Sequence, residues 1–238
     1  MNDLLLRSAL AYADKFHFLV FPLYEVVDGH CACPQGPQCG SAGKHPRVST
    51  GLKQATLDQK RISQWWARWP HANIGVNAGA SGLVVLDVDP RNGGDDSFTD
   101  LEREHGPLPR TVCALTGGGG RHYLFQRPAA PTVRGKPLAR GLDVKADGGY
   151  IVAAPSVHAS GRAYAWDLGA HPTDTELAPL PEWILARLDT AAPPPNGKPS
   201  AADLGFLGSA FAAAGWLGRS LGGGKSAARC PWEDEHTS

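Results

Sequence analysis

The chain has 238 residues, enough for one large domain or one domain with appendages. Its 23 Lys and Arg balance its 23 Asp and Glu, so the formal net charge is zero; a simple basic coat for nucleic acid is excluded, while a local basic groove beside an acidic site is not. A 42% hydrophobic content with 29 glycines and 20 prolines points to a loop-rich fold around a true core. No run of 18 apolar residues is present, so no membrane contact through a spanning helix is expected. Charges interrupt the opening MNDLLLRSALAYADKFHF where a signal peptide needs an apolar stretch. A cytoplasmic location is the default expectation, with cysteines that are not disulfide-bonded.

The periodicity predicts a short amphipathic helix over 4–15 and a strand over 17–27. The next segment, 28–46, is rich in Cys, Gly and Pro and reads as a loop folded around something other than a core. It holds Cys31, Cys33, Cys39 and His45, three thiolates and an imidazole that suit a tetrahedral Zn²⁺, with His30 as a reserve ligand. The Cys-x-Cys spacing is tighter than the usual Cys-x2-Cys. Lys44 and Arg47 beside it read first as solvated charges, with phosphate contact as the alternative. Thr56 with Gln59 resembles a capping box that opens a helix through Ile62, Trp65, Trp66 and Trp69.

Strands are predicted over 72–77 and 83–89. The second, GLVVLDVDP at 82–90, is an apolar run closed by Asp87 and Asp89. Residues two apart on a strand share a face and lie roughly 6–7 Å apart along the chain. Two carboxylates so placed beside a core repel unless a cation such as Mg²⁺ or Mn²⁺ lies between them. Alone, the pattern reads first as a strand leaving the sheet through an Asx-type turn, and the metal reading needs companions. A helix near 97–105 and a strand over 111–116 follow. The run Gly117–Gly120 then leads into Arg121, His122 and a strand over 123–126. Arg121 and His122 fall on opposite faces, and each residue type can bind a phosphate oxygen. A flexible hairpin with an exposed Arg is the plain alternative. No GK[ST] ends the glycines, so they are not a Walker loop.

In LDVK at 142–145, Asp143 and Lys145 share one face of a half-buried strand. Asp143 could complete a set of three acids, or pair with Lys145 on a solvated face. Asp147-Gly148-Gly149 is a hairpin signal. Strands over 150–154 and 163–166 flank Ser156, His158 and Arg162, read either as phosphate contacts or as surface loop. Pro181 suits the start of a helix over 182–188. A catalytic domain over 1–190, a Pro-rich linker over 191–199 and a helical segment with the truncated start of a further domain over 200–238 complete the expected organisation. LGGGKS at 221–226 is no Walker loop, because Arg219 stands where a glycine is needed. Cys113 reads as core and Cys230 as an orphan ligand.

Taken in order, LDVD, GGRHYLF and GLDVKADGGYIVAAPSVHASGRAY resemble the bifunctional primase-polymerase domain of the archaeo-eukaryotic primase superfamily, over roughly residues 18–188. The resemblance implies an acidic hDhD motif at Asp87 and Asp89, an sxH motif at His122 and an hD motif at Asp143. Gly120 stands where the family has a serine, which removes a hydroxyl and keeps the space. Implied further are an α+β fold of two modules with an RRM-like catalytic sheet and a small zinc-loop insertion. The activity implied is DNA-templated nucleotidyl transfer, as primase, polymerase or both. Two ions of Mg²⁺ or Mn²⁺, held by Asp87, Asp89 and Asp143 about 4 Å apart, would assist displacement of pyrophosphate by a 3′-hydroxyl. Arg121, His122 and Lys145 are expected to hold the incoming triphosphate, with Ser156 and His158 as further nucleotide contacts. Expected partners are single-stranded DNA template and primer, NTP or dNTP, and a helicase or further replication module in the full-length protein. Two other readings stay open: a metal-dependent phosphoesterase or nuclease, and a non-catalytic single-stranded DNA-binding domain.

Overall fold

The computed structural model describes residues 3–129, 132–188, 217–222 and 225–228, and the chain divides into two units, Met1–Leu188 and Asp189–Ser238. The second unit contributes two strands, Leu217–Gly222 and Lys225–Ala228, paired antiparallel. The linker expected over 191–199, all but the last residue of the apolar helix expected over 201–217, and Cys230 lie outside the described residues. No described helix is long and apolar enough to cross a membrane.

The first unit is a mixed α/β fold with several sheets. Helix α1 (Leu4–Lys15) buries Ala9, Tyr12 and Ala13, one stripe at helical spacing. Helix α2 (Gln59–Arg68) buries Ile62, Trp65 and Trp66. Its cap is Asp58, whose carboxylate accepts the Lys60 and Arg61 N–H groups, whereas Thr56 is drawn into a bridge with Val20. The sequence-level capping box is thus displaced by two residues, because strand pairing claims the threonine backbone.

Both helices pack on a three-stranded antiparallel sheet of β1 (Val20–Leu23), β4 (Asn73–Asn77) and β10 (Tyr150–Ala153), ordered β1-β4-β10. The strand expected over 17–27 is broken after Leu23; β2 (Val26–Val27) instead forms a small hairpin with β3 (His30–Cys31), which opens the cysteine loop.

A second, larger sheet contains β5 (Leu83–Val88), β6 (Val112–Leu115), β7 (Arg121–Gln126), β8 (Pro137–Ala139), β9 (Leu142–Lys145) and β11 (Ala165–Trp166), in the order β11-β6-β7-β5-β9-β8. A short β12 (Ala178–Pro179) runs parallel to the end of β7. Helix α3 (Gly94–His105) connects β5 to β6, and α4 (Glu182–Leu188) buries Ile184. The period of two along β5 divides it between two cores. Leu83 and Val85 join the cluster containing α1, α2 and the small sheet, while Val84, Leu86 and Val88 join Leu101 and Ile184 under α3 and α4. An apolar run buried on both faces therefore needs no alternation until its last residues, where Asp87 breaks it.

Asp147-Gly148-Gly149 is not the hairpin expected. It carries the chain from β9 in the large sheet to β10 in the small one. Asp147 instead accepts a bidentate pair of hydrogen bonds from Arg127 (2.9 and 2.7 Å) and one from the Val133 N–H (2.9 Å), and the Arg127 hydrogen bond holds its carboxyl below the ordinary range. Turn chemistry is the same for a hairpin and a crossover; the long-range pairing of each strand decides between them.

Candidate active site

Where the apolar part of β5 ends, its neighbours bring charge to the same face. In the antiparallel registers Asp87 stands opposite His122 on β7 and opposite Asp143 on β9, so His122, Asp87 and Asp143 form one row across three strands. Leu124, two residues beyond His122, and Val85, two before Asp87, lie in the core under this face, which fixes its direction. The Nε2 of His122 is 3.4 Å from Oδ1 of Asp87, and its Nδ1 is buried with no partner. Burial alone would raise the Asp87 carboxyl, but the His122 hydrogen bond and the charges of His122, Lys145 and Lys44 outweigh it and hold the group below its usual range. Asp143 lies 3.3 Å from the Lys145 ammonium.

Asp89 follows β5 and caps the turn Pro90–Asn92. Its carboxylate accepts hydrogen bonds from Arg91 Nε and NH2 (3.1 Å each) and from Asn92 Nδ2 (2.9 Å), and the Arg91 contact is the main cause of its lowered pKa. A backbone bond from Asp89 N–H to the Gly141 carbonyl (2.8 Å) ties this turn to the start of β9. Asp87, Asp89, His122, Asp143 and Lys145 all line one cleft of about 500 Å³. Tyr164 also lines it; burial, with the nearby Asp87 and Asp89 charges, raises its phenol so that it stays a donor at neutral pH.

Other expected contacts lie elsewhere. Arg121 projects from the face of β7 opposite His122 and pairs with Asp167 at 3.0 Å, so its neighbour in sequence is not its neighbour in the cleft. Ser156 is fully buried, and its hydroxyl accepts the Ile74 N–H (2.8 Å), leaving it no face toward a nucleotide. His158 is buried against Gly117, its Nδ1 accepts the Ser160 N–H (3.1 Å), and it faces a neighbouring hollow lined by Lys44 and Arg91. Burial and the charges of Lys44, Arg91 and Arg162 lower its pKa, so it is neutral at physiological pH. Gly120 is a finding of a different kind. A Cβ there would lie 2.1 Å from the Val88 carbonyl oxygen, so the space expected for a serine is filled by β5.

The cysteine loop folds back on itself. The Sγ atoms of Cys31, Cys33 and Cys39 and one ring nitrogen of His45 all lie within 4.8 Å of one another, with His45 Nε2 at 3.2 Å from Cys31 and 3.5 Å from Cys39. Four such donors match the tetrahedral set that zinc prefers, and His45 fills the fourth position for which His30 was the reserve. Among the described residues the three acids form no comparably tight set. The loop is pinned where it returns: the Asn73 amide donates to the Gly43 carbonyl (2.9 Å), and the Tyr150 hydroxyl donates to that of Lys44 (2.9 Å). Gly43 has φ +73°, and a Cβ there would meet Val26 at 2.6 Å. This anchoring puts Lys44 and His45 into the wall of the same cleft as the acids. The sequence favoured a solvated Lys44 over its alternative as a phosphate contact and gave no role to Arg91, Asn92 and Tyr164; the only sequence signal for Arg91 was its place two residues after Asp89.

The family model described as bifunctional DNA primase/polymerase, N-terminal, matches residues 9–183, from within α1 to the start of α4. The chain belongs to the Prim-Pol family. No curated protein matches it in sequence. Membership places the Prim-Pol domain among nucleotidyltransferases of the primase and polymerase type, whose substrates are DNA and nucleotides. The matched span contains the acid row, His122 and the whole cysteine loop.

Proposed function

We propose that this Prim-Pol domain extends a primer along a DNA template, with the cleft between the two sheets as its active site. The observation that carries the proposal is the direct opposition of Asp87 and Asp143 on adjacent strands. Like charges facing each other across a strand pair destabilise a sheet unless something positive joins them. Lys145 and His122 supply part of that charge; Mg²⁺ or Mn²⁺, hard ions that prefer carboxylate oxygens, would supply the rest. Asp87, Asp89 and Asp143 would hold the ions. When bound, a pair of such ions lowers the pKa of an attacking 3′-hydroxyl and neutralises charge on the departing pyrophosphate.

The remaining roles fall to this chain's own side chains. Asp87 keeps His122 oriented through Nε2 at the cleft wall, while its buried Nδ1 faces the protein interior. Lys44 and Lys145 bring cationic heads into the cleft for the triphosphate, and Tyr164 offers a phenol hydrogen. Zn²⁺ in the Cys31, Cys33, Cys39 and His45 set would be structural, holding Lys44 in place. The central strands β6-β7-β5-β9, with the α3 crossover from β5 to β6, have the strand order of an RRM-like catalytic sheet, which supports the two-module reading. A cytoplasmic setting and fusion to a helicase remain part of the same proposal.

The test uses a 5′-labelled primer annealed to a longer template, nucleoside triphosphates and Mg²⁺ or Mn²⁺. Primer lengthening with stoichiometric pyrophosphate is the expected result. Shortening of the labelled strand without triphosphate dependence would instead establish a nuclease using the same acids.

A further inference from the structure

We propose that a basic, aromatic strip running from the mouth of the cleft along α2 is the track for single-stranded template DNA, and that a hollow beside Trp65 and Trp69 receives one of its bases. The inference rests on the templated-synthesis reading above and names the surface that reading requires. Its sequence origin is a charge imbalance. Between residues 44 and 71 stand Lys44, Arg47, Lys53, Lys60, Arg61 and Arg68 against a single acid, Asp58, in a chain that is neutral overall. That one acid caps α2 and has its carboxylate occupied by backbone N–H groups.

The fold converts the imbalance into a ladder of alternating rings and cations. The His45 ring stacks on Tyr24, with centroids 4.8 Å apart and planes 25° off parallel. The Arg47 guanidinium lies 5.0 Å from the Tyr24 centroid and 5.1 Å from that of Trp69. Arg68 lies 5.0 Å from Trp69, and Arg61 lies 4.9 Å from Trp65. The first rung, His45, and its neighbour Lys44 line the acidic cleft, so the ladder starts where the chemistry is proposed to occur. Backbone pairing explains the placement: Arg47 N–H bonds to the Pro22 carbonyl (2.9 Å) and Tyr24 N–H to the His45 carbonyl (3.0 Å), which lays residues 45–47 along the end of β1.

Beside the outer rungs is a hollow of about 380 Å³, lined by Arg47, Gln54, Gln64, Trp65, Arg68 and Trp69 among others. Every nucleobase has a π-face that can stack on an indole, and guanidinium groups can stack or bind phosphate, so the combination suits single strands of any sequence. The Gln64 amide adds a donor and an acceptor for a base edge, whereas Gln54 is bonded to Arg61 (3.0 Å) and Ser49 (3.3 Å). Arg47 is already ion-paired with Glu25 and acts as a spacer within the ladder. Arg61 and Arg68 are exposed and are the phosphate contacts.

Fluorescence anisotropy with a labelled single-stranded oligonucleotide tests the surface without requiring synthesis. The Arg61→Glu/Arg68→Glu double variant should bind about 10-fold or more weakly at ~0.1 M salt, and its slope of log affinity against log salt should be shallower by about 1.4, two lost phosphate contacts. Trp69→Leu, checked for folding by circular dichroism, should lose about 10-fold through stacking with the salt slope unchanged. Arg103→Glu on α3, outside the strip, should bind as the wild type does, and Asp87→Asn should bind at least as tightly. Wild-type affinity in the double variant, or an equal loss in Arg103→Glu, overturns the proposal. A wild type that binds through the strip and never extends a primer would remove the catalytic reading alone; one that extends while the strip variants bind normally would remove the strip alone.

Discussion

Asp87→Asn is expected to lower nucleotide incorporation by about 10³-fold or more while leaving the fold in place. That loss corresponds to about 4 kcal/mol of transition-state stabilisation. The size follows from position. Asp87 is the centre of the row, flanked by His122 on one strand and Asp143 on the other, and its carboxyl is held ionised by His122, Lys145 and Lys44 against the opposing effect of burial. Asparagine keeps the shape and one oxygen but removes the charge that a hard divalent ion requires. It also removes the anion that orients the buried His122 ring, so two groups fail together. The fold should survive because asparagine nearly matches the volume and because the side chain lies at the cleft wall, 28% exposed. Steady-state primer extension, with circular dichroism as the control for folding, measures the effect. Retention of more than about a tenth of the wild-type rate would remove Asp87 from the centre of the mechanism.

The second large effect concerns the cysteine loop. Purified protein should carry one zinc per chain by elemental analysis, and Cys39→Ser or a strong chelator should remove it. Binding of zinc to such sets is itself folding free energy, because the site does not exist in the unfolded chain. Its loss should cost several kcal/mol and lower Tm by about 10 °C. Protease cleavage should then appear within residues 28–46. The damage should spread along two routes visible in the structure: His45 stacks on Tyr24, and Lys44 is placed in the cleft by the return of the same loop. Primer extension should therefore fall along with stability. A zinc-free protein with unchanged Tm and activity would show that the four ligands hold their geometry unaided.

The acid row was legible before any coordinates because strand alternation is a local property. LDVD places Asp87 and Asp89 on one face and LDVK places Asp143 with Lys145 on one face, and Asp87 and Asp143 came to face each other once β5 paired with β9. What alternation cannot supply is the identity of the pairing partner. Asp147-Gly148-Gly149 has the local chemistry of a hairpin, yet β9 and β10 belong to different sheets. Arg121 was correctly assigned to the face opposite His122, and a shared nucleotide role did not follow from adjacency; the opposite face leads to Asp167. Ser156 read as a loop hydroxyl, whereas a long-range bond to the Ile74 N–H buries it. Gly120 read as a small residue with room beside it, while the Val88 carbonyl fills that room. For Lys44 the solvated reading outweighed the phosphate-contact alternative, since its place in the cleft depends on Asn73 and Tyr150, each far along the chain. Misreadings of this kind share one cause: contacts made across the fold override the local signal.

The central claim is that Asp87 and Asp143 together hold divalent cations beside the nucleotide. Mn²⁺ binding followed by electron paramagnetic resonance, with a non-hydrolysable nucleoside triphosphate present, measures this directly. The wild type should take up Mn²⁺ with the nucleotide, and Asp143→Asn should bind at least about 10-fold more weakly, about 1.4 kcal/mol. Equal Mn²⁺ affinity in the two proteins would contradict the account.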